Sequence, residues 1–279
     1  VVERIDIKHK LYSQIDKVRS PNSIISSNTS TIPLSILTQE MSNTMKADFC
    51  ITHFFNPVRF MRLLEIVETP TMNKDKMDGL RDFCKNELGK GIVNCNDTPG
   101  FIGNRIGVYA MQVAMYEALE RGLPVEIADA LFGRPLGIPK TGVFGLYDLI
   151  GIDLMKDVLA SFKKELQEND PFMDVVKPHP LVEQLLEKGF NGNKGPGGFY
   201  QTTIVEGDEH VKAMNTSDMS YYDFDKVDLE IARRVEKEGI KALLDDDSEY
   251  GRYAFAVLAK IINYSAFCIP EVSSRVTDI

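Results

Sequence analysis

Phe49-Cys50-Ile51-Thr52-His53-Phe54-Phe55-Asn56-Pro57 and, a few residues on, Arg62-Leu63-Leu64-Glu65-Ile66-Val67 read as two short buried strands. The link between them is too short for a helical crossover, so the spacing predicts that the sheet turns antiparallel there. Outward from this pair, Ser23–Ser27 and Gly91–Cys95 read as two further strands, and residues 5–18, 31–44 and 74–88 carry apolar positions at helical spacing. Strands alternating with helices of this length predict a wound α/β sheet.

After Asp97-Thr98-Pro99-Gly100 the pattern changes. Ile102, Ile106, Tyr109, Val113 and Tyr116 form a long helical stripe, and further helices are expected near 126–132, 145–149, 154–164, 181–188, 228–244 and 253–267. Residues 201–225 are polar and mixed and read as a connector. Gly107-x-Tyr109-Ala110-x-x-Val113 returns as Gly251-x-Tyr253-Ala254-x-x-Val257, a faint echo that suggests a second copy of the helical part. The expected class is α/β plus all-α, divided as 1–97 wound sheet, 98–201 helical domain, and 202–279 connector with the start of a repeated helical domain. The chain opens Val1-Val2-Glu3 without Met and closes Val276-Thr277-Asp278-Ile279 without a helix-ending signal, which reads as an excerpt from a longer protein.

Composition narrows the function. The chain has 279 residues, 43% hydrophobic and 26% charged, which excludes a disordered, collagen-like or disulfide-scaffold protein. No apolar run approaches the ~20 residues of a membrane span. The net charge of −9 argues against nucleic acid as a partner. Cys50, Cys84, Cys95 and Cys268 are scattered without metal-ligand spacing and suit a reducing, cytoplasmic setting. His9, His179 and His210 are isolated, read as solvated, and no metal site is expected.

Chemistry concentrates in four places. His53 at a strand end can take a proton near neutral pH, and Glu65 lies amid aliphatic neighbours where a lone charge is costly. A hairpin-like return from His53 could give that carboxylate its partner, and Glu65 would then orient the imidazole. The alternative is a satisfied core histidine and an edge-strand Glu facing water. Ser26-Ser27-Asn28-Thr29-Ser30 follows a strand, where wound sheets gather ligands, and either offers Ser30 to a substrate or caps the next helix. Asn104, in the first turn after Pro99-Gly100, either meets a ligand or is polar surface. Gly192-Asn193-Lys194-Gly195-Pro196-Gly197-Gly198 either cradles an anion or is a flexible linker. Nothing fits G-x-G-x-x-G, since Gly89-Lys90-Gly91 and Gly195-Pro196-Gly197 both fail at the final glycine.

Taken in order, Val2-Glu3 with Lys8, Ser27-Asn28-Thr29-Ser30, His53-Phe54-Phe55-Asn56-Pro57, Glu65, Asp97-Thr98-Pro99-Gly100-Phe101-Ile102 with Asn104-Arg105, and Gly195 to Phe199-Tyr200 resemble the L-3-hydroxyacyl-CoA dehydrogenase family over about residues 1–201. The resemblance implies the C-terminal part of a Rossmann-type NAD-binding domain followed by the family's helical substrate and dimerisation domain. It implies NAD-dependent oxidation of L-3-hydroxyacyl-CoA in fatty-acid β-oxidation. His53 would be the general base, Glu65 its orienter, and Ser30 and Asn104 would hold the substrate's oxygens. Glu3, Lys8, Asn28, Ser30, Asn56 and Lys194 match the cofactor side. Residues 202–279, with Gly251-Arg252, look like the entry to the repeated helical domain of large members resembling bacterial β-oxidation proteins. A homodimer through the helical domain and a fused enoyl-CoA hydratase module outside this chain are further expectations. The family's glycine loop and first βαβ unit are absent from these residues, so the excerpt alone is expected to bind NAD very poorly and to be inactive. Two other readings stand beside this one: a dehydrogenase of a non-CoA hydroxy acid, against which the His–Glu pair argues, and a non-catalytic CoA-binding or dimerisation module.

Overall fold

Helix α1 (Ile5–Val18) turns Lys8 and Tyr12 inward, and Tyr12 fixes it to the sheet. The Tyr12 ring meets Phe49 edge-on at 5.0 Å, and its hydroxyl donates to Ser27 Oγ at 3.0 Å. The computed structural model holding these contacts describes residues 2–136, 138, 141–205, 207–225 and 227–279; Val1, with which the sequence opens, and Glu206 of the expected connector lie outside the described residues.

Four strands lie side by side in chain order: β1 (Ile25–Ser27), β2 (Phe49–Phe54), β3 (Leu63–Glu68) and β4 (Gly91–Asn94). β1 and β2 are parallel, as are β3 and β4, while β2 and β3 are antiparallel, the turn-over that the short link requires. The first expected helix after β1 is instead two, α2 (Leu34–Leu37) and α3 (Asn43–Lys46). Each has its own cap. Leu34 N and Ser35 N donate to the Asp97 carboxylate at 2.6 and 2.8 Å, and Met45 N donates to Ser42 Oγ at 3.2 Å. The cap on α2 thus comes from Asp97 rather than from the 28–30 loop. Helix α4 (Lys74–Asp82), prolonged by a π-helical turn over Phe83–Glu87, buries Met77 and Cys84 against Cys50, Leu64 and Ile66.

Two compact units emerge, residues 1–107 with 265–279 and residues 108–264. The return of the last residues to the first unit is anchored by Asn96, whose amide N donates to the Val272 carbonyl at 2.8 Å and whose side chain donates to the Pro270 and Glu271 carbonyls.

The second unit contains most of α5 (Gly103–Glu120), then α6 (Val125–Leu131), α7 (Phe144–Ile150), α8 (Ile152–Glu165), α9 (Pro180–Glu187) and most of α12 (Glu249–Phe267). The two echoing tyrosines are both buried here: Tyr109 stacks on Tyr264 at 3.9 Å, and Tyr253 donates to the Ala114 carbonyl at 3.2 Å. The polar stretch expected as a connector is an antiparallel ribbon of β5 (Tyr200–Val205), β6 (Asp208–Met214) and β7 (Tyr221–Asp223). Most of β6 is exposed, so it lacks the alternating burial that makes a strand legible. The single helix expected over 228–244 is α10 (Glu230–Glu238) and α11 (Lys241–Leu244), separated at Gly239 with φ +80°. Two histidines expected to be solvated are tied down. His9 bonds the Ile36 carbonyl at 3.0 Å and pairs with Glu40, and His179 Nδ1 accepts from Leu181 N at the start of α9.

Nor is the 192–198 loop a slack linker. Phe199 N and Tyr200 N donate to the Asp148 carboxylate at 2.9 and 2.7 Å, and Asn193 N donates to the Asp148 carbonyl. Tyr200 also donates through its hydroxyl to Asp129, which takes Phe144 N and Gly145 N as well. Burial pushes both carboxyls up to about 7, outweighing hydrogen bonds that favour their charge. An acid with a raised folded pKa keeps a proton that the unfolded chain has released. Each therefore adds stability that is complete below about pH 4 and fades as pH climbs toward about 7. Urea unfolding of the protein should lose stability across this window more steeply than Asp129→Asn does, by up to about 1.4 kcal/mol per pH unit. Parallel slopes would show that Asp129 titrates normally.

Candidate active site

His53 and Glu65 are direct cross-strand partners on β2 and β3, so their side chains share one face. Nδ1 of His53 lies 2.6 Å from Oε2 of Glu65. An ionised carboxylate only accepts, so the imidazole donates from Nδ1 and keeps a lone pair on Nε2. The Phe55 and Phe101 rings lie 4.7 and 5.8 Å from the imidazole and hold its plane.

Glu65 is wholly buried on an inner strand rather than facing water. Its charge is met by donors from three directions. Oε1 accepts from Ile102 N at 2.9 Å and Gly103 N at 2.6 Å, and the Cys95 thiol lies 3.6 Å away. The two amides open α5, so the carboxylate also sits at the positive end of a helix dipole. The backbone bends to allow this: Gly100 and Phe101 both take positive φ, +73° and +50°, the latter an uncommon conformation for a bulky residue. A Cβ at Gly103 would come within 2.4 Å of the Phe55 ring and push that ring aside. Within the first turn of α5, the fully buried Arg105 reaches both Glu271 carboxylate oxygens at 3.4 Å.

Strand β1 ends level with Ile51 of the parallel strand β2, which runs on to Phe54, and the loop after β1 carries the next group. Asn28 Oδ1 accepts from Phe54 N at 2.8 Å, which stitches this loop to the residue after His53. Thr29 donates to Glu3, and buried Lys8 pairs with the other Glu3 oxygen at 3.1 Å. Burial opposes the Glu3 charge, but the Thr29 and Lys8 contacts outweigh it and hold the carboxyl below its usual range. Among the described residues, no hydrogen bond occupies the side chains of Ser30, Asn56 or Asn104, which keeps them open to a ligand. Lys194 belongs to the second unit, about half exposed, 3.9 Å from Asp153. No cluster of three or more His, Cys, Asp or Glu among the described residues could hold a metal ion.

Residues 1–98 match the family model "3-hydroxyacyl-CoA dehydrogenase, NAD binding domain", and residues 100–202 match its C-terminal domain. The chain belongs to the 3-hydroxyacyl-CoA dehydrogenase family. It is 36% identical over its whole length to a Rickettsia prowazekii protein described as a putative fatty acid oxidation complex trifunctional enzyme, of which it spans 38%. It is 34% identical over 203 residues, 72% of this chain and 62% of the relative, to the mitochondrial hydroxyacyl-coenzyme A dehydrogenase of Rattus norvegicus. Among solved structures, FadB2 of M. tuberculosis superimposes with TM-score 0.62 at 29% identity, covering 73% of this chain and 69% of that one. The chain thus spans less than two thirds of the length of these two curated relatives.

In this chain of the 3-hydroxyacyl-CoA dehydrogenase family, sequence reasoning misses the groups that support the dyad. The amides of Ile102 and Gly103 carry no side-chain signature, although Pro99-Gly100 does announce a turn. Thr29 reads from sequence only as a helix cap. The separation of Glu271 from Arg105 hides that pair entirely.

Glu65→Ala would leave the Nδ1–H and two helix amides without acceptors in the core, and should cost about 3 kcal/mol or more in urea unfolding. Long-range ¹H–¹⁵N spectra should place the neutral imidazole proton of His53 on Nδ1; a proton on Nε2 would contradict the geometry.

Proposed function

We propose that this chain carries the catalytic centre of an enzyme oxidising L-3-hydroxyacyl-CoA thioesters to 3-oxoacyl-CoA with NAD, in fatty-acid β-oxidation. The observation that carries the reading is the 2.6 Å bond from His53 Nδ1 to a fully buried Glu65. That bond leaves Nε2 as the base for the 3-hydroxyl proton, and Glu65 offsets the imidazolium as it forms. Ser30 and Asn104, with side chains open to a ligand, hold the substrate's oxygens.

The donor set at the ends of β1 and β2 suits the nicotinamide ribose end of NAD. The ligands of wound sheets gather beyond the carboxyl ends of parallel strands, and the Glu3–Lys8–Thr29 cluster offers both charge signs there. Glu3, Lys8, Asn28, Asn56 and Lys194 are assigned to the cofactor, with Ser30 shared. When bound, NAD supplies the acceptor for the hydrogen and electron pair leaving C3. The reading takes residues 1–97 as the cofactor side, 98–201 as the substrate and dimerisation part and 202–279 as the start of a repeat. It includes a cytoplasmic setting, a homodimer through the helical part and a fused enoyl-CoA hydratase module, the last supported by the trifunctional description of the Rickettsia relative.

With full-length protein, acetoacetyl-CoA and NADH should react and free hydroxy acids with NAD should not. His53→Ala should lower kcat by about 10²–10⁴; activity kept within tenfold would overturn the role given to His53. The 279 residues by themselves, which spell no G-x-G-x-x-G, should show no saturable NAD binding by calorimetry.

A further inference from the structure

We infer that Cys95 is a positioning residue for the His53–Glu65 pair: its thiol is the donor that stops Glu65 Oε1 from pivoting on the start of α5. This rests on the catalytic reading of that pair. Cys95 directly follows β4, where its N–H donates to the Ile66 carbonyl at 2.9 Å and continues the ladder. Val93 stands opposite Glu65, so strand alternation puts Cys95 on the face that carries the carboxylate. Its Sγ lies 3.6 Å from Oε1, and the Ile102 amide reaches the sulfur as well.

Without the thiol, Oε1 would be held only by two consecutive amides from one helix end, which together form a hinge. The thiol approaches from the sheet and closes that rotation. It acts as a donor because burial first, and the Glu65 charge second, push it far above the usual thiol range, so it stays S–H. The ionisable groups around it are Glu65 on β3 with His53 bonded to it from β2, and Asp278 on the C-terminal 3₁₀ turn. Cys50 and Cys84, also buried and free, have no such carboxylate partner at hydrogen-bond distance among the described residues.

The test uses full-length protein carrying Cys95→Ser, Cys95→Ala and Cys95→Val, with acetoacetyl-CoA and NADH across the pH range of activity. Losing the donor should lower kcat about tenfold in Cys95→Ala and Cys95→Val, with KM little changed. In this direction His53 gives its Nε2 proton to the ketone, so the alkaline limb of the kcat/KM profile should move to higher pH, because a carboxylate with one donor fewer favours the imidazolium. Cys95→Ser, which restores a donor, should recover much of the loss. Wild-type kcat and an unmoved profile in a Cys95→Val protein with wild-type Tm would reduce Cys95 to core packing.

Infrared spectroscopy gives a readout that needs neither activity nor stable variants beyond one subtraction. The S–H stretch assigned by wild-type minus Cys95→Ala should lie below those of Cys50 and Cys84, as expected of a hydrogen-bonded thiol. A free-thiol frequency would overturn the inference. If His53→Ala kept its activity, the catalytic reading would fail instead, whatever the S–H frequency.

Discussion

A carboxylate with no exposure to water, borne by the strand Leu64-Glu65-Ile66-Val67, is the constraint around which the first unit is organised. An isolated charge there would be severely disfavoured, and the chain answers with donors rather than with a lysine or arginine. One comes from β2, one from the residue after β4 and two from the start of α5. Three donors thereby converge on Oε1, while His53 alone meets Oε2. The same contacts that make burial tolerable also fix the imidazole's tautomer, so stability and chemistry rest on one side chain.

Much of this is legible in the sequence because it depends on short-range geometry. The few residues between His53 and Glu65 admit only an antiparallel return, and β pairing then sets the two side chains face to face. What is illegible depends on backbone groups and on long separations. Every residue but proline has an N–H, so nothing in Ile102-Gly103 marks those two as carboxylate ligands. Asp97 caps a helix that begins 63 residues earlier, and without that contact the stretch 31–44 reads as one helix rather than two. Composition misleads most where strands lie open to solvent, as in β6, because a ribbon with two wet faces leaves no apolar alternation to read.

The second unit repeats the theme with different parts. Asp129 and Asp148 each take backbone amides, and Tyr200 joins them by giving its N–H to one and its hydroxyl to the other. Gly192 and Gly198 are needed beside Asp148, where an added Cβ would come within 2.4 and 1.9 Å of it. The glycines that suggest slack in the sequence are therefore what lets the backbone close around a carboxylate. The loop bearing Lys194 is shaped from beneath by that closure.

The stretch from Asp97 to Gly103 serves two clients at once. Its first residue grips the start of α2, and its last two amides grip Glu65. The span between those grips is fixed by both ends, so its length cannot drift as the lengths of surface loops ordinarily do. Asp97 contributes its carboxylate and Ile102 and Gly103 contribute their amides, so a one-residue insertion or deletion between them would release either the helix or the acid. Here the spacing itself, more than the residues that fill it, is what inheritance has to preserve.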